Sequence, residues 1–183
     1  MTALHARAGA PGHLPRFAAM LIAYQGAWFA CVLGAAHGLP WAGTVVGLAV
    51  VAAFVMLGDR PSVDAKLIAV AVAVGLAWDT AMAQSGWVAY AGREPLASLA
   101  PGWILALWAL FAVVLRGPLR WLHARLPVAA VLGAIGGPLS YAAAERMGAI
   151  TMREPAQATV ALALGWAAIT PLLLALARRW DAR

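Results

Sequence analysis

The sequence is poor in charge and in cysteine. Only 11% of its 183 residues are charged, against about 25% in an ordinary soluble domain. Its single cysteine, Cys31, excludes an internal disulfide. The basic residues lie mostly in the tails and short connections, and no basic cluster with interleaved aromatic residues predicts nucleic-acid binding. Hydrophobic residues make up 64% of the chain, which is more than a soluble fold of this size would carry, so lipid is the expected solvent.

The common catalytic and metal-binding motifs are also missing. The sequence has no P-loop, no GxSxG, no HExxH and no paired CxxC. His37 and His123 are predicted at opposite faces of a membrane, so they cannot pair as haem ligands within one chain. These absences predict no resident metal or cofactor and favour a protein that is not an enzyme.

Apolar runs dominate what is present. A helix needs about 20 mostly apolar residues to cross the hydrocarbon core of a bilayer. Six segments approach or reach this length, and Gly, Pro or charged residues occupy the breaks between them. The segments cover residues 17–36, 41–58, 67–88, 101–116, 127–148 and 156–177. The pattern predicts an all-α, single-domain bundle with six transmembrane spans.

The distribution of Lys and Arg predicts the orientation. With six spans, ten of the 13 basic residues lie on the side of the two termini, and the other three are Arg93, Arg146 and Arg153. Because basic residues are enriched in cytoplasmic loops, both termini are predicted to be cytoplasmic.

The stretch GLAWDTAMAQSG at 75–86 places Asp79 near the centre of the third predicted span. A carboxylate at this depth costs roughly 2.5–3.5 kcal/mol on insertion scales, so it should face the bundle interior. We expect the group to be either protonated or held by hydrogen-bond donors.

Candidate partners follow from depth, because a helix rises about 1.5 Å per residue. Depth matching predicts two tiers of polar side chains in the outer half of the bundle. The inner tier is Asp79, Thr80, Gln25, Ser140 and Tyr141, and the outer tier is Gln84 and Glu145. Two interpretations stay open at this point: a working intramembrane site, or polar side chains that only join helices through hydrogen bonds.

The stretch GAIGGPLSYAAAE at 133–145 is the second unusual segment. Pro138 removes a helical hydrogen bond, and Gly136 and Gly137 weaken the helix further. A kink here would expose carbonyl groups to a pocket beside Asp79. Alternatively, Gly133 and Gly137 form a small-xxx-small pair that only permits close helix packing.

Four stretches carry a family resemblance: GAWFACVLGA at 26–35, GLAWDTAMAQSG at 75–86, PGWILALWALFAVVLR at 101–116 and GAIGGPLSYAAAERMGAI at 133–150. The chain resembles the uncharacterised bacterial inner-membrane proteins grouped as domain of unknown function 2878. The resemblance implies a polytopic protein of the inner membrane and brings no established activity. Members are often encoded near cyclopropane-fatty-acid-synthase-like methyltransferases, which points towards membrane lipid.

We therefore expect a protein that binds membrane lipids or assists their modification and homeostasis, with a lipid-modifying enzyme as a candidate partner. One alternative is a small proton-coupled transporter or flippase, for which Asp79 would be the coupling group. The shared spacing of Trp28–Trp41 and Trp108–Trp121 would fit an inverted repeat of the kind found in transporters. The remaining alternatives are a membrane scaffold and a lipid-modifying enzyme.

Overall fold

The computed structural model describes residues 13–92 and 99–182, with side chains from Phe17 onwards. These residues form six α-helices, one 3₁₀ helix and two short strands. In chain order the elements are α1 (His13–Ala36), α2 (Pro40–Leu57), α3 (Pro61–Gln84), β1 (Val88–Tyr90), α4 (Gly102–Arg116), the 3₁₀ helix (Arg120–Ala124), α5 (Leu126–Arg146), β2 (Ile150–Met152) and α6 (Pro155–Asp181).

The helical bundle expected from the apolar runs is present. Five helices, α1, α2, α3, α5 and α6, are long and apolar enough to cross a membrane. The sixth, α4, has only 15 residues and is the most enclosed, because ten of them are buried. It packs against α1, α2, α3 and α6. The surrounding helices therefore cover α4, and a short helix can occupy this central position.

Two helices end earlier than the apolar runs predict. The third run extends to residue 88, but α3 ends at Gln84; the fifth extends to residue 148, but α5 ends at Arg146. Gly86 and Gly148 follow these ends with φ of 78° and 85°. A left-handed residue just after a helix is a common terminator, and glycine adopts it without a steric penalty. The chain then turns into a strand in both cases.

The two strands, which the sequence pattern did not predict, join the ends of α3 and α5. They pair antiparallel, with Val88 opposite Met152, Ala89 opposite Thr151 and Tyr90 opposite Ile150. Each strand has only three residues. The pairing fixes the outgoing ends of α3 and α5 side by side and carries Tyr90 back over the bundle, where its side chain is buried.

The pairing is also the centre of an internal repeat, in which α3–β1–α4 corresponds to α5–β2–α6. Asp79 and Tyr141 are 62 residues apart, and the same separation relates Gly75 to Gly137, Gly86 to Gly148 and Ala89 to Thr151. Under this correspondence the strand register is self-complementary, as a two-fold relation requires. Both units run in the same direction, so this repeat differs from the inverted one that the tryptophan spacing suggested.

Packing inside the two units follows a similar correspondence, in which α4 and α6 are offset by 58 residues because the connection before α6 is four residues shorter. A Cβ atom added at Gly75 would collide with the Trp108 ring, and one added at Gly137 would collide with the Trp166 ring. The two indoles then stack on each other, with ring centroids 4.8 Å apart and planes inclined by 11°. Glycine is needed at both places because each indole lies directly on the backbone of the partner helix.

The end of the bundle opposite the strands is joined by a buried ion-pair network around Arg116. Its side chain is only 8% exposed and reaches Asp64 at 2.5 Å and Asp181 at 2.7 Å. Asp59 contributes a third, exposed contact at 3.3 Å. Nearby, Arg60 donates to the backbone carbonyl of Asp181 at 2.6 Å. This network connects the last turn of α4 to the first turn of α3 and the last turn of α6.

The two ends of α4 show that it runs the length of α3 in the opposite direction. Near its start, the amide of Ala100 donates to Thr80 Oγ1 at 3.0 Å. At its end, Arg116 bonds Asp64 on α3. The part of α3 between Asp64 and Thr80 spans about 24 Å at 1.5 Å per residue. For comparison, the hydrocarbon core of a bilayer is roughly 30 Å thick.

Candidate functional site

Asp79 is the most completely enclosed polar side chain among the described residues, with 0% exposure. Its Oδ1 accepts hydrogen bonds from the Tyr90 hydroxyl at 2.7 Å and from the Tyr141 hydroxyl. Its Oδ2 accepts from Trp108 Nε1 at 2.6 Å. The three donors lie on β1, α5 and α4, so one carboxyl group on α3 is held from three other elements.

Two of these donors were missed from the sequence. Tyr90 lies beyond the apolar run that contains Asp79, and only the strand pairing carries it back to the acid. Trp108 was not among the predicted partners of Asp79, although a buried indole usually finds an acceptor for its N–H. That rule could have identified Trp108 as a partner of Asp79. Asp79 is a central acceptor, and none of its hydrogen bonds comes from a cationic side chain.

Other members of the predicted tiers form hydrogen bonds with the segments that connect the helices. Thr80 Oγ1 accepts a hydrogen bond from the amide of Ala100, just ahead of α4. Glu145 Oε1 accepts a hydrogen bond from the amide of Met152 on β2 at 2.7 Å. Ser140 lines a cavity instead of contacting Asp79. Depth matching therefore predicted the contact between Asp79 and Tyr141. Thr80, Glu145 and Ser140 lie at other places in the bundle.

The two glutamines of the predicted tiers lie on the surface of the bundle. Gln25 is exposed on α1, and the hydrogen bonds of Asp79 do not include it. Gln84 is exposed at the end of α3. Matching depth along the helices placed neither glutamine correctly, because depth gives no information on the direction in which a side chain points.

The segment predicted to kink is helical throughout. α5 continues from Leu126 to Arg146 with Pro138 inside it, so the predicted kink at Gly136 and Gly137 lies within one continuous helix. A Cβ at Gly133 would meet the backbone of Trp166, and one at Gly137 would meet its ring. These two glycines let α5 and α6 approach closely, which was the alternative interpretation of the motif.

A cavity of about 230 Å³ lies beside the acid, between α1, α4, α5 and α6. Its walls are mainly aromatic and aliphatic, and include Trp28, Leu107, Trp108, Phe111, Leu132 and Trp166. Tyr141 and Ser140 line it as well. A smaller cavity of about 20 Å³ shares Trp28, Leu107, Ser140 and Tyr141 with it and extends to Ala144 and Ile150. We call the two together the α1–α5 groove.

The groove reaches the surface of the bundle on the α5 side. Leu132 is 44% exposed while also lining the groove, and Gly136 is exposed at the same rim. From Leu132 to Ala144 the groove follows α5 for about 18 Å at 1.5 Å per residue. Asp79 lines neither cavity, but two of its donors, Trp108 and Tyr141, form part of the wall.

The groove exists where the internal repeat is broken. Between the two units, the Trp78 ring of α3 packs directly against Gly165 of α6. The equivalent contact, with α3 and α5 offset by 62 residues and α4 and α6 by 58, joins Ser140 of α5 and Leu107 of α4, and both residues line the groove. The hydroxymethyl side chain of Ser140 thus occupies the position that corresponds to the indole of Trp78. The volume that an indole would fill is open.

No three His, Cys, Asp or Glu side chains within residues 13–92 and 99–182 are grouped so that they could hold a metal ion. His123 instead contacts the carbonyl of Leu115 at 2.9 Å, and His37 contacts that of Leu33 at 2.8 Å. Both histidines are therefore engaged with backbone at the ends of helices.

These features define a bundle in which five helices are long and apolar enough to cross a membrane, with a fully enclosed acid, Asp79, and a lateral groove beside it. The chain belongs to the family described as protein of unknown function, DUF2878, whose model matches residues 18–172. The match runs from α1 into α6 and confirms the resemblance carried by the four sequence stretches. No curated protein and no solved structure matches the chain.

Substitutions at the acid test whether its hydrogen bonds hold the bundle together. Asp79→Leu leaves two hydroxyls and an indole N–H without their acceptor, and should lower stability by roughly 3 kcal/mol or more. Asp79→Asn should cost less, because its amide oxygen can still accept from Trp108 and the tyrosine hydroxyls can accept from its amide nitrogen. Tyr141→Phe should cost about 1–3 kcal/mol. Melting temperature in detergent is the measurement.

Tyr24→Phe is the matched control, since it removes a hydroxyl from a groove-lining tyrosine outside the cluster. It should melt like the parent protein. An Asp79→Leu protein that also melts like the parent would show that the cluster does not stabilise the fold.

Proposed function

We propose that this is a multi-pass protein of the bacterial inner membrane that binds lipid in the α1–α5 groove and so supports the modification or homeostasis of membrane lipids. The observation that carries the proposal is the groove itself. Its wall is almost entirely apolar, it follows helices that are apolar enough to cross a membrane, and it opens at the exposed rim formed by Leu132 and Gly136. An apolar ligand could enter such a groove from the bilayer without passing through water.

The dimensions support an acyl chain as the ligand. The groove follows α5 for about 18 Å, and one leaflet of the hydrocarbon core is about 15 Å thick, half of the full core. A groove of this length can accommodate a chain of one leaflet along most of its extent. Aromatic walls such as those of Trp28 and Trp108 give such a chain large contact areas.

In this proposal Asp79 is a positioning residue. Its carboxyl group lines neither of the two cavities of the groove, but it fixes Trp108 and Tyr141, which are both part of the groove wall. The cost of burying the acid is offset by three hydrogen bonds that define one arrangement of the wall. The groove would present a bound lipid to a partner, for which a lipid-modifying enzyme is the candidate.

Proton-coupled transport is the second candidate, and two observations favour it. The buried Asp79 is a protonatable group within a spanning helix, and parallel structural repeats occur in several transporter folds. Transport would require Asp79 to exchange protons during the cycle, so Asp79→Asn would abolish activity even in a stable protein. Lipid binding requires only that the groove wall is kept in place.

We further propose that all six helices cross the membrane with the termini in the cytoplasm. The ion-pair network around Arg116 then faces the cytoplasm and the strand pair faces the periplasm. Two exposed tryptophans, Trp41 and Trp121, are at opposite ends of the bundle, where interfacial aromatic residues are expected. Of the basic residues used for the orientation, Arg7, Arg93 and Arg183 lie outside the described residues.

Single-cysteine labelling tests this topology in a Cys31→Ala background. Ser85→Cys, after α3, should react with a membrane-impermeant maleimide added outside spheroplasts, whereas Ala124→Cys, in the 3₁₀ helix, should react only after the cells are opened. Labelling of both positions from one side would contradict a crossing by α4. Labelling with the sides exchanged would contradict the orientation.

Filling the groove tests the proposed function. Ser140→Trp restores the indole that the other unit carries at Trp78, and should occupy the volume beside Leu107. Native mass spectrometry of the parent protein should show a selected lipid that copurifies, and Ser140→Trp should reduce its occupancy at least fivefold. In a deletion strain the parent gene should restore the lipid profile and Ser140→Trp should not.

Leu139→Trp is the matched control, because Leu139 is the next residue on α5 and is 63% exposed on the outer surface. It adds the same side chain to the same helix outside the groove and should behave like the parent in both assays. A Ser140→Trp protein that folds and keeps the same lipid at the same occupancy would refute lipid binding in the groove.

A further inference from the structure

The outer face of α1 carries a polar side chain in the middle of an apolar surface. On its inner side α1 packs against α2 and α4. Its outward-facing residues recur every three or four positions, as expected for one face of a helix. We call this set the α1 face; it consists of Ala18, Ile22, Gln25, Phe29 and Leu33, all of which are exposed.

Gln25 lies near the centre of this face. The apolar span of α1 covers the 20 residues Phe17–Ala36, so Gln25 is about 2 Å from its midpoint at 1.5 Å per residue. The hydrogen bonds of the described residues do not include Gln25. Because hydrocarbon offers neither donors nor acceptors, a carboxamide at this depth is unfavourable unless another protein surface pairs with it.

Lipid cannot supply that pairing. The ester groups of a phospholipid lie at the edges of the hydrocarbon core, about 15 Å from the midplane. The groups that can satisfy a mid-membrane amide are therefore polar side chains of another helix.

The symmetry of a membrane dimer makes a second copy of this chain a matching partner. Two copies inserted in the same orientation are related by a two-fold axis along the membrane normal, so equivalent residues lie at equal depth. A carboxamide has two N–H donors and an acceptor oxygen, so two of them can form reciprocal hydrogen bonds. Gly26 leaves room for this approach, since it is exposed and a Cβ added to it would meet nothing within 4 Å.

We propose that two copies of this chain associate in the membrane through the α1 face, and that Gln25 forms reciprocal hydrogen bonds with Gln25 of the partner subunit. The inference rests on the proposed crossing of the membrane by α1. It does not depend on what the groove binds, because Gln25 lines neither cavity.

Counting subunits in phospholipid vesicles tests this proposal. The full chain carries a fluorophore at Ser85→Cys in the Cys31→Ala background, and photobleaching steps are counted over a range of protein-to-lipid ratios. The parent should form dimers. Gln25→Leu should weaken dimerisation about tenfold, the loss expected when a polar contact between membrane helices is removed.

Gln84→Leu is the matched control, since it makes the same change at an exposed glutamine at the end of α3. It should dimerise like the parent. In detergent that keeps the protein monomeric, Gln25→Leu should melt like the parent, because Gln25 makes no hydrogen bond with the described residues of its own chain.

Disulfide crosslinking in oxidised membranes identifies the face, again in the Cys31→Ala background. Ile22→Cys, one turn before Gln25 and 72% exposed, should form a linked dimer at least fivefold faster than Leu48→Cys, which is 50% exposed near the centre of α2. Adding Gln25→Leu to Ile22→Cys should remove most of this difference.

Three results would overturn the proposal. The first is a parent protein that stays monomeric at every protein-to-lipid ratio, which would leave the α1 face to a different protein. The second is a dimer whose strength Gln25→Leu does not change. The third is crosslinking at Leu48→Cys that is as fast as at Ile22→Cys, which would place the contact on another face.

Discussion

The burial of one carboxyl group in an apolar bundle is the constraint on which the arrangement of the other parts depends. Asp79 is fully enclosed, so its oxygens need donors from the protein, and these come from Tyr90, Trp108 and Tyr141. Placing Tyr90 requires the strand pair, and placing Trp108 requires Gly75 opposite its ring. The acid therefore fixes how α3, α4, α5 and β1 meet, and it fixes the wall of the groove at the same time.

The internal repeat explains why the site is asymmetric. The acid on α3 and the tyrosine on α5 occupy corresponding positions and bond to each other. The two stacked indoles, Trp108 and Trp166, also occupy corresponding positions. The repeat is broken where Ser140 stands in place of Trp78, and the groove opens there. The two helix pairs thus share their packing along the two-fold relation and differ in one lateral contact, where the groove opens.

Much of this architecture could be predicted from local properties of the sequence. Apolar runs predicted the helices, and the insertion cost of a mid-span acid predicted that Asp79 faces inwards. Depth matching brought it to Tyr141, because rise per residue is nearly constant. The same method failed for Gln25, since it gives height along a helix and not rotation about it. Tyr90 was missed because its position depends on the pairing of β1 with the distant β2. The network around Arg116 was missed because it joins residues that are 52 and 65 positions apart.

The central claim is that lipid occupies the α1–α5 groove, and photocrosslinking tests it most directly. The protein is placed in nanodiscs that contain a phospholipid with a diazirine in its acyl chain, irradiated, and digested for mass spectrometry of the adducts. The account predicts adducts concentrated at groove residues, above all Leu107, Ser140 and Leu132. Adducts confined to outward-facing positions of α5, such as Ile135 and Leu139, would contradict it.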